Sequence, residues 1–174
     1  MEVQEIIINA LAHSLGADLH EEWRNTRKRP DGSYEPRMKK SKDEAWTEAH
    51  GTDDVDIANL AFKDLPSNWQ EENLEAARVA IKLVFEKVMT GEKISELDRR
   101  RIASDIHDAW LSRNSSWASA KQAVPFDQLS IEEQEKDLAQ IDPAIEKVQD
   151  YIDVVLDIVE VCNEYNLPVN YKAK

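Results

Sequence analysis

Little in this chain can cross-link, kink or loosen a backbone. Its 174 residues include one cysteine, four glycines, six prolines and three methionines. The lone Cys162 excludes an intrachain disulfide and offers no zinc-ligand pattern. It falls on an apolar helical face, so a buried structural thiol is expected there. With so few glycines and 41% hydrophobic residues, the composition is that of a folded, helix-rich protein and not of a disordered chain. No apolar run approaches the roughly 20 residues of a membrane-spanning helix. Glu2 and Glu5 beside the short Ile6-Ile7-Ile8 run do not make a signal peptide. The expectation is a cytoplasmic protein with no membrane partner, in the host cytoplasm if the chain is viral.

Basic residues are also scarce. Lys and Arg number 22 against 35 Asp and Glu, a formal net charge of −13 at pH 7. A surface of that sign repels phosphate backbones, so duplex nucleic acid is not an expected partner. The deficit is uneven, however. Between Trp23 and Lys42 stand eight basic residues (Arg24, Arg27, Lys28, Arg29, Arg37, Lys39, Lys40, Lys42) against Asp31 and Glu35, a local +6 that leaves −19 for the rest. Such a run is either a solvated counterweight to an acidic body or a local anion site.

What is present is helical periodicity. Residues 2–29 carry Val3, Ile6, Ile7, Ala10, Leu11, Leu15, Leu19 and Trp23 at three- and four-residue steps, predicting one helix with a break allowed at Gly16. Pro30-Asp31-Gly32-Ser33 ends it, and residues 34–42 read as a polar basic loop. Ser41 is expected to cap a short helix through Trp46 and His50, stopped by Gly51. Residues 53–65 allow a short helix or extended structure. A core helix is predicted over about 69–89 through Leu74, Ala77, Ile81, Val84, Phe85 and Val88. Ser95 with Asp98, and Ser130 with Glu133, have the spacing of capping boxes. Asp142-Pro143 is expected to open a final helix over about 143–165, striped by Ile145, Val148, Ile152, Val155, Leu156, Val159 and Cys162, which should pack on helix 69–89.

One pattern is written twice. Leu19-His20-Glu21-Glu22-Trp23 returns as Ile106-His107-Asp108-Ala109-Trp110. Phe62-Lys63-Asp64-Leu65 with Gln70, Glu71 and Asn73 returns as Phe126-Asp127-Gln128-Leu129 with Gln134, Glu135 and Asp137. The His-to-Phe spacing is 42 residues in the first half (20 to 62) and 19 in the second (107 to 126), which describes a duplication with an insertion in the first half. On these residues the chain resembles the ryanodine-receptor repeat domain, a mainly helical module also found in bacterial and viral proteins. Its pattern is a helix with Ile/Leu-His-acid-x-Trp, a Gly/Trp/Tyr-and-basic loop (here Gly32-Ser33-Tyr34 with Arg37 and Lys39, then Trp117), an aromatic-x-x-Leu segment and a polar helix. The resemblance covers most of residues 17–141. The first half departs by its insert around residues 46–56, and the second lacks the basic loop. The expected fold is mainly α, two tandem repeats (1–91 and 92–174) sharing one core, with a few short extended segments. The resemblance implies a non-catalytic module that recognises a nucleotide-like small molecule without a cofactor. A viral protein of this length could sequester a host immune signal, as a phage anti-defence sponge would.

For such a ligand, Trp23, Tyr34 and Trp46 could stack on a base. Arg24, Arg27, Arg37, Lys39 and Lys40 could hold phosphates. Asp56 or Asn59 would suit a ribose hydroxyl, and His20 points to the same ground as Trp23 and Arg24 on its helix. In the second half His107, Trp110, Arg113 and Trp117 would form a less charged counterpart. Against this, tryptophan at helical spacing is more often core, and a repeated histidine more often satisfies a neighbouring carbonyl or carboxylate. Two alternatives stand beside the binder. One is a protein-interaction or structural module whose acidic body meets a basic partner, a homodimer being compatible with the wide apolar face of the final helix. The other is a magnesium-dependent nucleotide pyrophosphohydrolase, suggested by Glu71-Glu72-x-x-Glu75. Its partner motif, Glu-x-x-Asp on a later helix, is absent, and these glutamates equally suit a helix's first turn.

Overall fold

The protein is mainly α-helical, and two long helices lying along each other set its frame. The computed structural model describes residues 3–116 and 118–165. The first helix, α1 (Val3–Asn25), is unbroken at Gly16. A Cβ on Gly16 would stand 3.2 Å from the Asn73 carbonyl oxygen, so the glycine lets α1 approach the backbone of α3 (Ser67–Met89) and does not interrupt the helix. The buried face of α1 is Ile8, Ala12 and Leu15, while Val3 and Ile6 are 73% and 53% exposed. The apolar stripe expected from periodicity therefore faces solvent at its first turn and is covered further along the helix.

Ala77, Ala80, Ile81, Val84 and Phe85 of α3 meet that face. Across α3 lie α4 (Glu96–Asn114), through Ile102, Ala103 and Ile106, and α6 (Ile141–Glu164), through Ile141, Ala144 and Val148. One continuous core thus takes residues from both halves of the sequence. The final helix packs on α3 as expected, but only over its first half. Leu156 is exposed and Cys162 is half-buried, so the expectation of a buried thiol is corrected. Among the described residues no helix is long and apolar enough to cross a membrane.

Local signals explain most boundaries. Ser95 and Asp98 form a full capping box at α4. Ser130 caps α5 (Ile131–Leu138) through Glu133 N–H, but the reciprocal bond is missing because Glu133 pairs with Lys136. Asp43, not Ser41, caps α2 (Glu44–His50); Ser41 instead accepts from Asp43 N–H at 3.0 Å. Gly51 ends α2 at φ 67°, a left-handed conformation glycine adopts without penalty. The chain breaks between α5 and α6 just ahead of Pro143, which has no N–H to donate to Ala139 and whose ring crowds that carbonyl. Asp142 does not cap α6; it pairs with Arg99 at 2.6 Å.

The segment read as a basic loop contains β1 (Met38–Lys40), paired antiparallel with β2 (Asp54–Asp56) in the register Lys39↔Val55. Val55 is buried, and directly opposed residues share a face, so Lys39 turns inward while Met38 and Lys40 stay outside. The stretch between α1 and α3 therefore holds a small ribbon carrying α2.

Candidate functional site

The two histidines make the same bond. His20 Nε2 lies 3.0 Å from the Leu60 carbonyl, and His107 Nε2 lies 2.9 Å from the Val124 carbonyl, each two residues ahead of the phenylalanine that opens a 3-10 turn. A carbonyl only accepts, so each Nε2 carries the proton. Both rings are buried. Burial holds His20 below its ordinary pKa despite the carbonyl bond, which keeps it neutral. Gln70 and Gln134 then each donate to the leucine carbonyl that closes the turn (Leu65, 2.8 Å; Leu129, 3.1 Å). These groups are occupied in fastening a turn to a helix.

Most of the expected phosphate and ribose contacts are occupied likewise. Arg24 is buried, donating from Nε to Ala58 O at 2.9 Å and from Nη1 to both Glu21 oxygens at 2.9 and 2.7 Å, with its guanidinium 4.5 Å from the Tyr34 ring centroid. Burial opposes the charge on Glu21, yet bonds from Arg24 and from Phe62 N–H hold its carboxyl below the usual range. Arg27 donates to Glu35 O and lies 5.7 Å from the Trp23 ring. Asp56 accepts from Arg37 N–H, Ala58 N–H and Asn59 Nδ2, and Asn59 also donates to Tyr34 O, so both organise the loop. Trp46 stacks on His50 at 4.0 Å on α2. Arg37 is exposed, its backbone N–H bonded to Asp56 and its carbonyl accepting from Ile57 N–H. Trp117 lies outside the described residues.

A cleft of about 290 Å³ opens between the ribbon, the start of α3 and the end of α4. Lys39, Lys40 and Lys42 line its ribbon side, facing Asn68 and Trp69 of α3. The Trp69 indole is oriented by Nε1–H donating to Lys40 O at 3.0 Å, and Lys39 Nζ stands 5.4 Å from its ring centroid. Asn68 Oδ1 accepts from Lys42 N–H at 3.0 Å, and Asp43 Oδ2 accepts from Ser67 N–H at 2.9 Å, so the ribbon is fixed to the first turn of α3. On the opposite wall Glu72 accepts from Asn114 at 2.9 Å and Arg113 at 3.3 Å, which offsets its charge. The three lysines differ. Lys40 is held above its ordinary pKa by bonds to Asp53 and Asp54, whereas burial and then the nearby Arg37 push Lys39 down. An anion placed here would relieve Lys39 most directly.

Lys39, Lys40 and Arg113 are thus brought to one place, Arg113 through its Glu72 partner. Trp69, Lys42, Asn68, Glu72 and Asn114 complete the cleft without having been expected there. Trp69 reads in sequence as the start of a helix, and only the ribbon's fold over that start makes it a wall. Trp23 is half-buried and borders a separate hollow of about 390 Å³ with Leu19, Asn73, Ala76 and Gln140. Of the glutamates behind the hydrolase reading, Glu75 is paired with Arg78 and Glu72 with Arg113 and Asn114. Among the described residues no group of three His, Cys, Asp or Glu side chains is placed to share a metal ion. No family model, curated protein or solved structure matches this chain.

Proposed function

We propose that this chain binds a small anionic molecule with a flat ring, nucleotide-like in chemistry, in the cleft between Lys39, Lys42 and Trp69, and that it does so without catalysing a reaction. The observation that carries the reading is the meeting of three lysines with an oriented indole at one cleft of an otherwise acidic molecule. An indole held by its N–H offers a fixed face for stacking, worth about 1–3 kcal/mol per base. The lysines supply the charge, and the α3 N-terminus adds the positive end of its dipole. The volume is at the lower edge of ordinary ligand sites, which favours a mononucleotide or smaller over a dinucleotide. We further infer that the two halves are like-built, ryanodine-receptor-like repeats; the paired histidine and glutamine bonds support it. Sequestering a signal molecule is the use this reading carries with it.

Thermal melting across a panel of nucleotides, with mass spectrometry of small molecules released by denaturing the purified protein, tests it. A stabilising nucleotide is expected. The Lys39→Ala/Lys42→Ala double variant should bind at least tenfold more weakly with its melting temperature nearly unchanged, and Arg37→Ala, outside the cleft, should bind normally. A protein that releases nothing and is not shifted by any panel member would end the proposal.

A further inference from the structure

The cleft between the ribbon and α3 has a polar wall that its lysines do not account for. On that wall Glu72 of α3 and Asn114 of α4 are joined by a bond that uses one polar atom of each. Asn114 is 5% exposed, and its Nδ2 places both hydrogens, one on Glu72 Oε1 at 2.9 Å and one on Trp110 O at 3.0 Å. Reversing that amide would set its oxygen against a carboxylate and a carbonyl, so the acceptor Oδ1 is the atom left over. Arg113 donates to the same Glu72 Oε1 at 3.3 Å and to Ala109 O at 3.0 Å. Among the described residues no donor meets Glu72 Oε2 or Asn114 Oδ1. Each of these oxygens shares a carbon with an atom of the 2.9 Å bond, so they stand near each other. They make a patch that only accepts, across the cleft from three lysines that only donate.

Trp69 stands three residues before Glu72 on α3, which makes the two side chains neighbours on one helical face. A ring laid on the indole therefore brings one edge to Glu72 and Asn114 while its phosphate reaches the lysines. Resting on the reading of this cleft as a nucleotide site, we infer that the base it takes is guanine, with N1–H donating to Glu72 Oε2 and the N2 amino group to Asn114 Oδ1. Guanine carries two adjacent N–H donors on its Watson–Crick edge, and a pair of acceptors matches them. Adenine and cytosine each offer one amino group beside a ring-nitrogen lone pair, which would face the carboxylate. The N3–H of uracil is flanked by two carbonyl oxygens. Hypoxanthine has the N1–H of guanine without the amino group, so it keeps one bond of the two. A site built on such bonds rejects a ring that leaves its acceptors unpaired.

The test is calorimetric titration of the full chain with GMP, IMP, AMP and UMP, which share ribose and phosphate and differ in the edge of the ring. GMP should bind about tenfold more tightly than IMP and about a hundredfold more tightly than AMP or UMP. In Lys39→Ala/Lys42→Ala all four should weaken together, which locates the site in this cleft. Glu72→Gln removes the charge that N1–H meets, so the preference for GMP over AMP should fall about tenfold, with folding checked by thermal melting. AMP or UMP binding as tightly as GMP, and lost in the lysine variant, would overturn the guanine assignment and leave the cleft a nucleotide site. An unmodified protein that binds none of the four overturns both readings. A preference for GMP that is unchanged in affinity in the lysine variant overturns the placement in this cleft. The ligand series on the unmodified protein needs no variant, so it decides the matter even where Glu72→Gln fails to fold.

Discussion

Single side chains in this protein separate into those that fasten and those whose charge is opposed by burial. His20, Arg24 and Asn59 could have been ligand groups by chemistry, but each is used on a backbone carbonyl within its own half. Their role was partly legible, since a structural bond is what a duplicated histidine most simply preserves. The occupation of Arg24 was not, because a run of basic residues in sequence does not show which of them turns inward. Asp137 is the contrary case. A carboxyl raised from 3.8 to about 6 binds its proton more tightly in the folded state than in the unfolded one. Its effect on stability is absent below about pH 4, grows unfavourable as pH rises to about 6, and is then constant, amounting to about 3 kcal/mol at most. Asp137→Asn, which carries no charge at any pH, should therefore be more stable than the unmodified protein at pH 7.5 and equal to it near pH 3.5. Urea unfolding at the two pH values checks this, and an equal or larger loss at pH 7.5 would show that the carboxylate is stabilising.

Among the elements, α1 and α3 were readable from period alone because each has a long partner and a full stripe. What periodicity could not give was the contact between them. Gly16 reads as a helix breaker, yet it sits where two backbones approach, and breaking and close packing ask for the same residue. Alanine there would gain about 1 kcal/mol of helix propensity while pressing on the Asn73 carbonyl, so its net effect should be small. Gly16→Val adds two further carbons with no room for them. It should cost about 1–3 kcal/mol, seen as a lower urea midpoint with an unchanged slope. A neutral Gly16→Val would mean that α1 can slide on α3. The ribbon of β1 and β2 was the least legible element, since three-residue strands carry too little alternation to be told from a loop. Its register nevertheless decides which lysine reaches Trp69.

At the scale of the whole molecule, the mainly helical fold and the packing of the last helix on α3 followed from composition and stripes. The clefts did not, because each is closed by residues more than twenty positions apart. The same scale exposes an unbalanced surface. Beyond Ile152, α6 leaves Val154, Ile158, Val161 and Tyr165 at 56%, 56%, 50% and 67% exposure, and their four- and three-residue steps put them on one helical face. Contiguous exposed apolar side chains on a soluble helix favour burial against another surface, and a second copy of the same stripe is complementary to it. Asp153, Asp157, Glu160 and Glu164 flank that stripe, and the chain as a whole carries −13, so two copies repel before they touch. Apolar attraction is little changed by moderate salt, whereas repulsion between exposed charges is screened within about 10 Å at 0.1 M salt. Self-association through α6 should therefore strengthen with salt, opposite to a dimer held by ion pairs. Sedimentation velocity over a range of concentrations should show mainly monomer at low salt and a growing dimer fraction at high salt. Ile158→Asp should remain monomeric throughout while melting at nearly the unmodified temperature, because the residue it replaces is outside the core. A dimer that weakens with salt, or one indifferent to Ile158→Asp, would place the interface elsewhere.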